Sequence, residues 1–379
     1  MIKSKLPNVE TTIFTKMSAL ASKHEAINLS QGFPDFDIDN KITELYGHYS
    51  KKGYNQYAPM IGVEKLINSI AKKVKKDYNV SVDPLSEITI TAGATQAIYT
   101  AITTLINPDD EAIIFSPAYD SYAPAIELAG GKTHEVKLVH PSFSINWDEV
   151  NKLINKKIRL IIINSPHNPT GAVISKDDIR ELERIVSSNN IYIISDEVYE
   201  HIVFDNKVHH SLLTSDILRK KTFATYSFGK SLHITGWKLG YCIAPRNLME
   251  EFRKVHQYNV FSCNSPAQYA IADYIDNTSP FDKISEIYEK KRDLFLKGIK
   301  NSRFKVIPSN GTYFQLLDYS NISNENDVEF AKRITIEHKV ASIPISVFYK
   351  DKTDDKILRF CFAKKDETLL KATKILCRI

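Results

Sequence analysis

The chain has 379 residues, 43% of them hydrophobic and 25% charged, with a formal net charge of +5. That length requires one large domain plus a smaller one, and the composition is that of an ordinary globular protein. No basic cluster is interleaved with aromatics, and no apolar run approaches the roughly 18 residues of a membrane helix, which excludes nucleic acid and membrane as partners. The N-terminus MIKSKLPNVETT lacks the apolar core of a signal peptide. The four cysteines show no metal-ligand spacing, and three lie in apolar runs. Buried free thiols, no metal site and a cytoplasmic location are expected.

In chain order, Ile13 to Ala21 is a short amphipathic segment, followed by AINLSQGFPDFD. Gly32-Phe33-Pro34 must turn sharply, and a glycine there lets a ligand approach the backbone. YNQYAPMIG is an aromatic loop leading into a helix over 63–78. From Ile88 the pattern changes. EITITAGATQAIYTAITTLI predicts strand, glycine turn and helix, with Ala94, Thr95 and Gln96 opening the helix. Their free N–H groups and the helix dipole form a ready anion site. A strand over 111–116 then leaves Tyr119 just past its end.

IRLIIINSPHNPTG and IYIISDEVYE are apolar strands ending at Asn168 and at Asp196 with Tyr199. TFATYSFGKSLHITGWKLGYCIAP predicts a strand, a break at Ser227-Phe228-Gly229-Lys230, and a second strand from Tyr241. Apolar strands alternating with amphipathic helices predict an α/β fold with a mostly parallel, doubly covered sheet. Ligands of such sheets sit beyond the carboxyl ends of the strands. Gly93, Tyr119, Asn168, Asp196, Tyr199, Ser227 and Lys230 all fall at such ends. A charged helix over 281–302 leaves the large domain, and a smaller α+β domain follows. The expected boundaries are 43–282 for the large domain, with 1–42 and 283–379 forming the small one.

These residue types specify a chemistry. A lysine held in a pocket loses its proton and forms a Schiff base with a carbonyl. Asp196 can pair with a cationic ring nitrogen. Tyr199 and Asn168 can hydrogen-bond a ring oxygen, and Tyr119 can stack on a ring. Ser227, Lys238 and the helix N-terminus at Ala94 can hold a phosphate. Together they describe a site for pyridoxal phosphate.

TTIFTKMSALA, NLSQGFPDFD, NQYAPMIG, TAGATQA, SPAYDSYAPAI, NSPHNPTGAV, ISDEVYEHI, SFGKSLHITGWKLGYC, NSPAQ, GTYF, IPISVFY and LRFCFAKKDETL span nearly the whole chain. In these stretches the sequence resembles a class I aminotransferase of the fold-type I pyridoxal-phosphate group. The likeness is to the branch of bacterial methionine aminotransferases and kynurenine/glutamine-K transaminases. The resemblance implies that Lys230 is the Schiff-base lysine, Asp196 the ring-nitrogen partner, and Tyr199 and Asn168 the ring-oxygen ligands. It assigns Tyr119 to stacking, and Gly93, Ala94, Thr95, Ser227 and Lys238 to the phosphate. Many relatives carry arginine where Lys238 stands.

By the same resemblance Tyr57 reaches the phosphate of a neighbouring subunit, implying a homodimer with shared sites. Arg359 clamps the substrate carboxylate, helped by Asn168 and Gly32. Phe14, Phe261 and Phe348, with Tyr313, give the pocket an apolar and aromatic wall. No second arginine stands out to pair with a side-chain carboxylate, so methionine and aromatic donors are expected over aspartate or glutamate. Two other readings stand beside this one. A carbon–sulfur β-lyase shares the fold and would release pyruvate and ammonia without an added 2-oxo acid. A ligand-sensing regulatory module fused to a DNA-binding domain would carry an N-terminal helical extension, and none is expected here. Among the histidines, His167 in the Asn-Pro loop is expected to be exposed, and His233 to make a structural contact.

Overall fold

The structure is a computed structural model and describes residues 2–7 and 9–379. Seven strands build its central sheet: β1 (Ile88–Thr91), β2 (Glu111–Ser116), β3 (Lys132–Lys137), β4 (Ile158–Asn164), β5 (Tyr192–Asp196), β6 (Thr222–Ser227) and β7 (Gly240–Ile243). Their spatial order is β1-β7-β6-β5-β4-β2-β3. β3, β2, β4, β5 and β6 run parallel, whereas β7 is antiparallel to both β6 and β1.

Strand alternation puts apolar side chains on both faces. Ile113, Ile161, Ile163 and Ile193 share one core with Leu182, Ile185 and Val186. Ala112, Ile114, Leu160, Ile162 and Ile194 share another with Ala97, Ile98, Ile102 and Phe252. The first set of helical residues lies on Lys176–Ser188, where spacings of three and one bring a single stripe to the sheet. That helix starts in a capping box, Ser175 with Asp178. Fully burying one such aliphatic side chain contributes about 1.5–3 kcal/mol.

A four-stranded sheet follows later in the chain, built from Lys305–Ile307, Phe314–Asp318, Ile343–Pro344 and Ile357–Cys361. Beside it the N-terminal region forms a separate two-stranded sheet, in which Ile27–Asn28 pairs in parallel with Val340–Ala341. The charged helix is shorter than the sequence suggests, Ile284–Ile299. Its buried residues Ile284, Tyr288, Arg292, Phe295 and Ile299 follow the helical period, whereas Phe281 lies ahead of the helix and stacks on His201. All four cysteines are free, with Cys242, Cys263 and Cys361 buried. Among the described residues no helix is long and apolar enough to cross a membrane.

Candidate active site

Parallel strands end together, so the residues after them meet. One cavity opens at the ends of β4, β5 and β6. Gly93, Ala94, Thr95, Tyr119, Asn168, Asp196, Tyr199, Ser227, Lys230 and Lys238 all line it.

Asp196 is the last residue of β5 and is buried. Its Oδ2 accepts the Tyr122 hydroxyl at 2.5 Å, and its Oδ1 lies 3.4 Å from the Val198 N–H. Burial raises the carboxyl pKa to about 6, with the Tyr122 and Val198 hydrogen bonds and Lys230 pulling the other way. Asn164 ties two parts of the site together: its Nδ2 donates to Asp196 O at 2.9 Å, and its Oδ1 accepts from Asn168 N at 2.8 Å.

Lys230 sits in a helical turn, Phe228–Ser231, rather than in an open loop. Four residues are too few to show a helical period in the sequence. Its Nζ is 3.5 Å from Gly32 O and 5.7 Å from the ring centroids of both Tyr199 and Tyr313. Crowding by these walls lowers the ammonium pKa to about 8, and the Arg359 and Lys238 charges act in the same direction. Burial holds the Tyr199 hydroxyl far above its ordinary value, so it stays protonated.

The helix Ala94–Leu105 points its first N–H groups into the cavity. Gly93 caps it with φ +78° and ψ 170°, a backbone that only glycine adopts freely. A Cβ there would stand 3.7 Å from Lys238 Nζ. Lys238 is itself left-handed at φ 53° and directs its amine to the same spot.

Arg359 lies outside the cavity lining and is only 1% exposed. Its Nη1 donates to Asn168 Oδ1 at 2.8 Å and its Nη2 to Ser30 O at 3.0 Å, while its Nε has no acceptor among the described residues. Burial pushes its pKa down to about 10. Phe14 and Phe348 pack on each other at 5.9 Å and flank the guanidinium at 5.2 and 5.6 Å. Gly32 reaches the site through its carbonyl. Tyr57 and Phe261 do not line the cavity. They pack edge to face at 5.5 Å and are 84% and 43% exposed.

His167 corrects one expectation. It is buried, its Nδ1 is 2.7 Å from Thr170 Oγ1, and burial lowers its pKa to about 3, so the ring is neutral. The loop folds back on itself, His167 N to Ala172 O and Gly171 N to His167 O, and encloses the ring. His233 packs between Phe36 and Tyr288. His201 lies beside Glu200 and Asp77, where Lys73 already pairs with both carboxylates at 2.8 and 3.1 Å. Tyr122, Asn164 and Ser30 were not singled out from the sequence. The second tyrosine of SPAYDSYAP and the strand-final asparagine of IIIN were the available signals.

Known proteins share this fold. The family profile of aminotransferase class I and II matches residues 24–376. The methionine aminotransferase of Escherichia coli (strain K12) is 48% identical over 373 residues, covering 98% of this chain and 97% of that protein. A probable N-succinyldiaminopimelate aminotransferase, DapC, of Mycobacterium tuberculosis is 34% identical, with 99% and 97% covered. The crystal structure of YbdL from Escherichia coli, described as having a methionine aminotransferase function, superposes with a TM-score of 0.98 at 48% identity, covering 100% of both chains. The chain belongs to the class I and II aminotransferases.

Proposed function

We propose that this aminotransferase moves the α-amino group of methionine and other large neutral or aromatic amino acids to a 2-oxo acid, with pyridoxal phosphate held at the strand ends. One observation carries the reading. A lysine of lowered pKa, a buried carboxylate and an open helix N-terminus meet in a single cavity.

Members of the family use pyridoxal phosphate, and the donor set here fits it. The glycine cradle at Gly93, the N–H groups of Ala94 and Thr95, Ser227 and Lys238 suit a phosphate. Lysine at position 238 neutralises it as a point charge, without the fork of an arginine. Asp196 suits the ring nitrogen, Tyr199 and Asn168 the ring oxygen, and Tyr119 a ring face. When bound, the cofactor supplies a carbonyl for the amino group and an electron-withdrawing ring.

The chain's own groups do the rest. Lys230 Nζ takes the proton from the substrate Cα, and its lowered pKa suits a base working near neutral pH. Asp196 keeps a positive charge on its partner. Arg359, with an unused Nε donor, takes the α-carboxylate. Each amino acid leaves as its 2-oxo acid before the acceptor enters, giving ping-pong kinetics.

Donor choice rests on two supports. Phe14, Phe348 and Phe314 surround the arginine, and among the described residues no arginine lines the cavity to receive a second carboxylate. The 48% identical relative is a methionine aminotransferase. Half-transamination spectra against each amino acid are expected to rank methionine and phenylalanine ahead of aspartate. Faster reaction with aspartate would refute this.

The reading extends to a homodimer with shared sites. Tyr57 and Phe261 form a solvent-facing aromatic pair on this chain, at 84 and 43% exposure, which a second copy would cover. Tyr57 would then reach the partner's phosphate. Sedimentation of the holoenzyme as a monomer would sink this part. The division at 43–282 against 1–42 with 283–379 is supported by the sheets, since each of the larger sheets falls within one piece.

A further inference from the structure

The turn Gly311-Thr312-Tyr313-Phe314 has an unusual backbone. Thr312 adopts φ +65°, which is costly for a β-branched residue. Gly311 has no room for a Cβ, which would stand 2.7 Å from Ile202 O. Thr312 N donates to that same carbonyl at 2.9 Å, and its Oγ1 accepts from Phe314 N at 3.2 Å. The turn is therefore seated firmly, and it aims two rings at the loop 30–32. The Tyr313 hydroxyl donates to Gly32 O. The Phe314 ring is wedged between that loop and the arginine. Arg359 Cζ lies 3.9 Å from its centroid, and a Cβ on Gly32 would stand 2.8 Å from its Cζ. Of the three phenylalanines around the guanidinium, only Phe314 is at stacking distance.

We infer that Phe314 is a positioning residue for the substrate carboxylate, fixing the plane of the Arg359 guanidinium and, through Gly32, the standoff of the loop whose Ser30 carbonyl holds Nη2. This rests on the reading of Arg359 as the carboxylate clamp. A bidentate pair requires the guanidinium plane to be set before the carboxylate arrives. A ring face against a desolvated guanidinium both attracts it and holds that plane. Gly32 is required because any side chain would strike the ring that sets it.

The test uses the holoenzyme and two competitive probes with a common phenyl tail. 3-Phenylpropionate offers a carboxylate without an amine, and phenethylamine an amine without a carboxylate. Phe314→Met keeps the volume while removing the ring face. It is expected to weaken 3-phenylpropionate by about tenfold or more and leave phenethylamine binding unchanged. Gly32→Ala pushes the ring from its other edge and is expected to give the same selective loss. It carries the test alone if Phe314→Met does not fold. Equal weakening of both probes, or of neither, overturns the inference. Arg359→Lys is the control. If it leaves 3-phenylpropionate binding intact, the clamp reading itself fails. If it weakens that probe while Phe314→Met and Gly32→Ala do not, only the role of Phe314 fails.

Discussion

Replacing Lys230 with alanine is expected to lower the rate of each half-reaction by about four orders of magnitude or more, the upper end of what a positioned acid–base group supplies. The reason lies in where the amine stands. Its Nζ faces the Gly32 carbonyl and the rings of Tyr199 and Tyr313, and its pKa near 8 leaves a usable share unprotonated at neutral pH. Lys230→Arg separates charge from base function. Arginine keeps the cation but does not deprotonate in proteins, so it is expected to be as slow as alanine. Single-turnover kinetics of the two variants with methionine check this, together with loss of the visible absorption of a lysine-bound cofactor. Near wild-type half-reaction rates in either variant would remove Lys230 from the mechanism.

Lys230 was legible in the sequence because it stands where a β-rich run breaks among small residues. The central sheet was legible for a similar reason: Ile158–Asn164 and Tyr192–Asp196 are apolar runs bounded by turn residues, and their ends place Asn168, Asp196 and Tyr199 together. Helix limits were less legible: Phe281, the expected start of the charged helix, instead stacks on His201 ahead of Ile284–Ile299. What the sequence hid is what depends on distant partners. Tyr122 bonds Asp196 across 74 positions, and Arg359 reaches the Ser30 carbonyl across 329. His167 was expected to be exposed because its residue type does not announce that Thr170 and Ala172 fold the loop around it. Phe314 reads as an ordinary strand phenylalanine until the arginine is seen above it.

Asp196→Asn is expected to cost about 10³-fold in turnover, the size of losing one aligned electrostatic group in a dry site. Its sharper signature is in cofactor affinity against pH. In wild type the carboxyl pKa is raised to about 6 by burial. A cationic ring nitrogen would pair with the ionised form, so binding is expected to be strongest above that pH. As pH falls to 5 the carboxyl is mostly protonated and must release a proton to pair. Affinity is then expected to fall about tenfold, one pH unit below the midpoint. The cofactor's phosphate also titrates, but equally in both proteins, so the difference between wild type and Asp196→Asn reports the carboxylate alone. The variant should bind more weakly at pH 7.5 and converge toward wild type at pH 5. Removing the Tyr122 hydroxyl, which favours the ionised form, should move the wild-type midpoint to higher pH in Tyr122→Phe. Parallel pH curves for wild type and Asp196→Asn would mean that the carboxylate does not face the ring nitrogen. The buried acid at the end of β5 would then be structural.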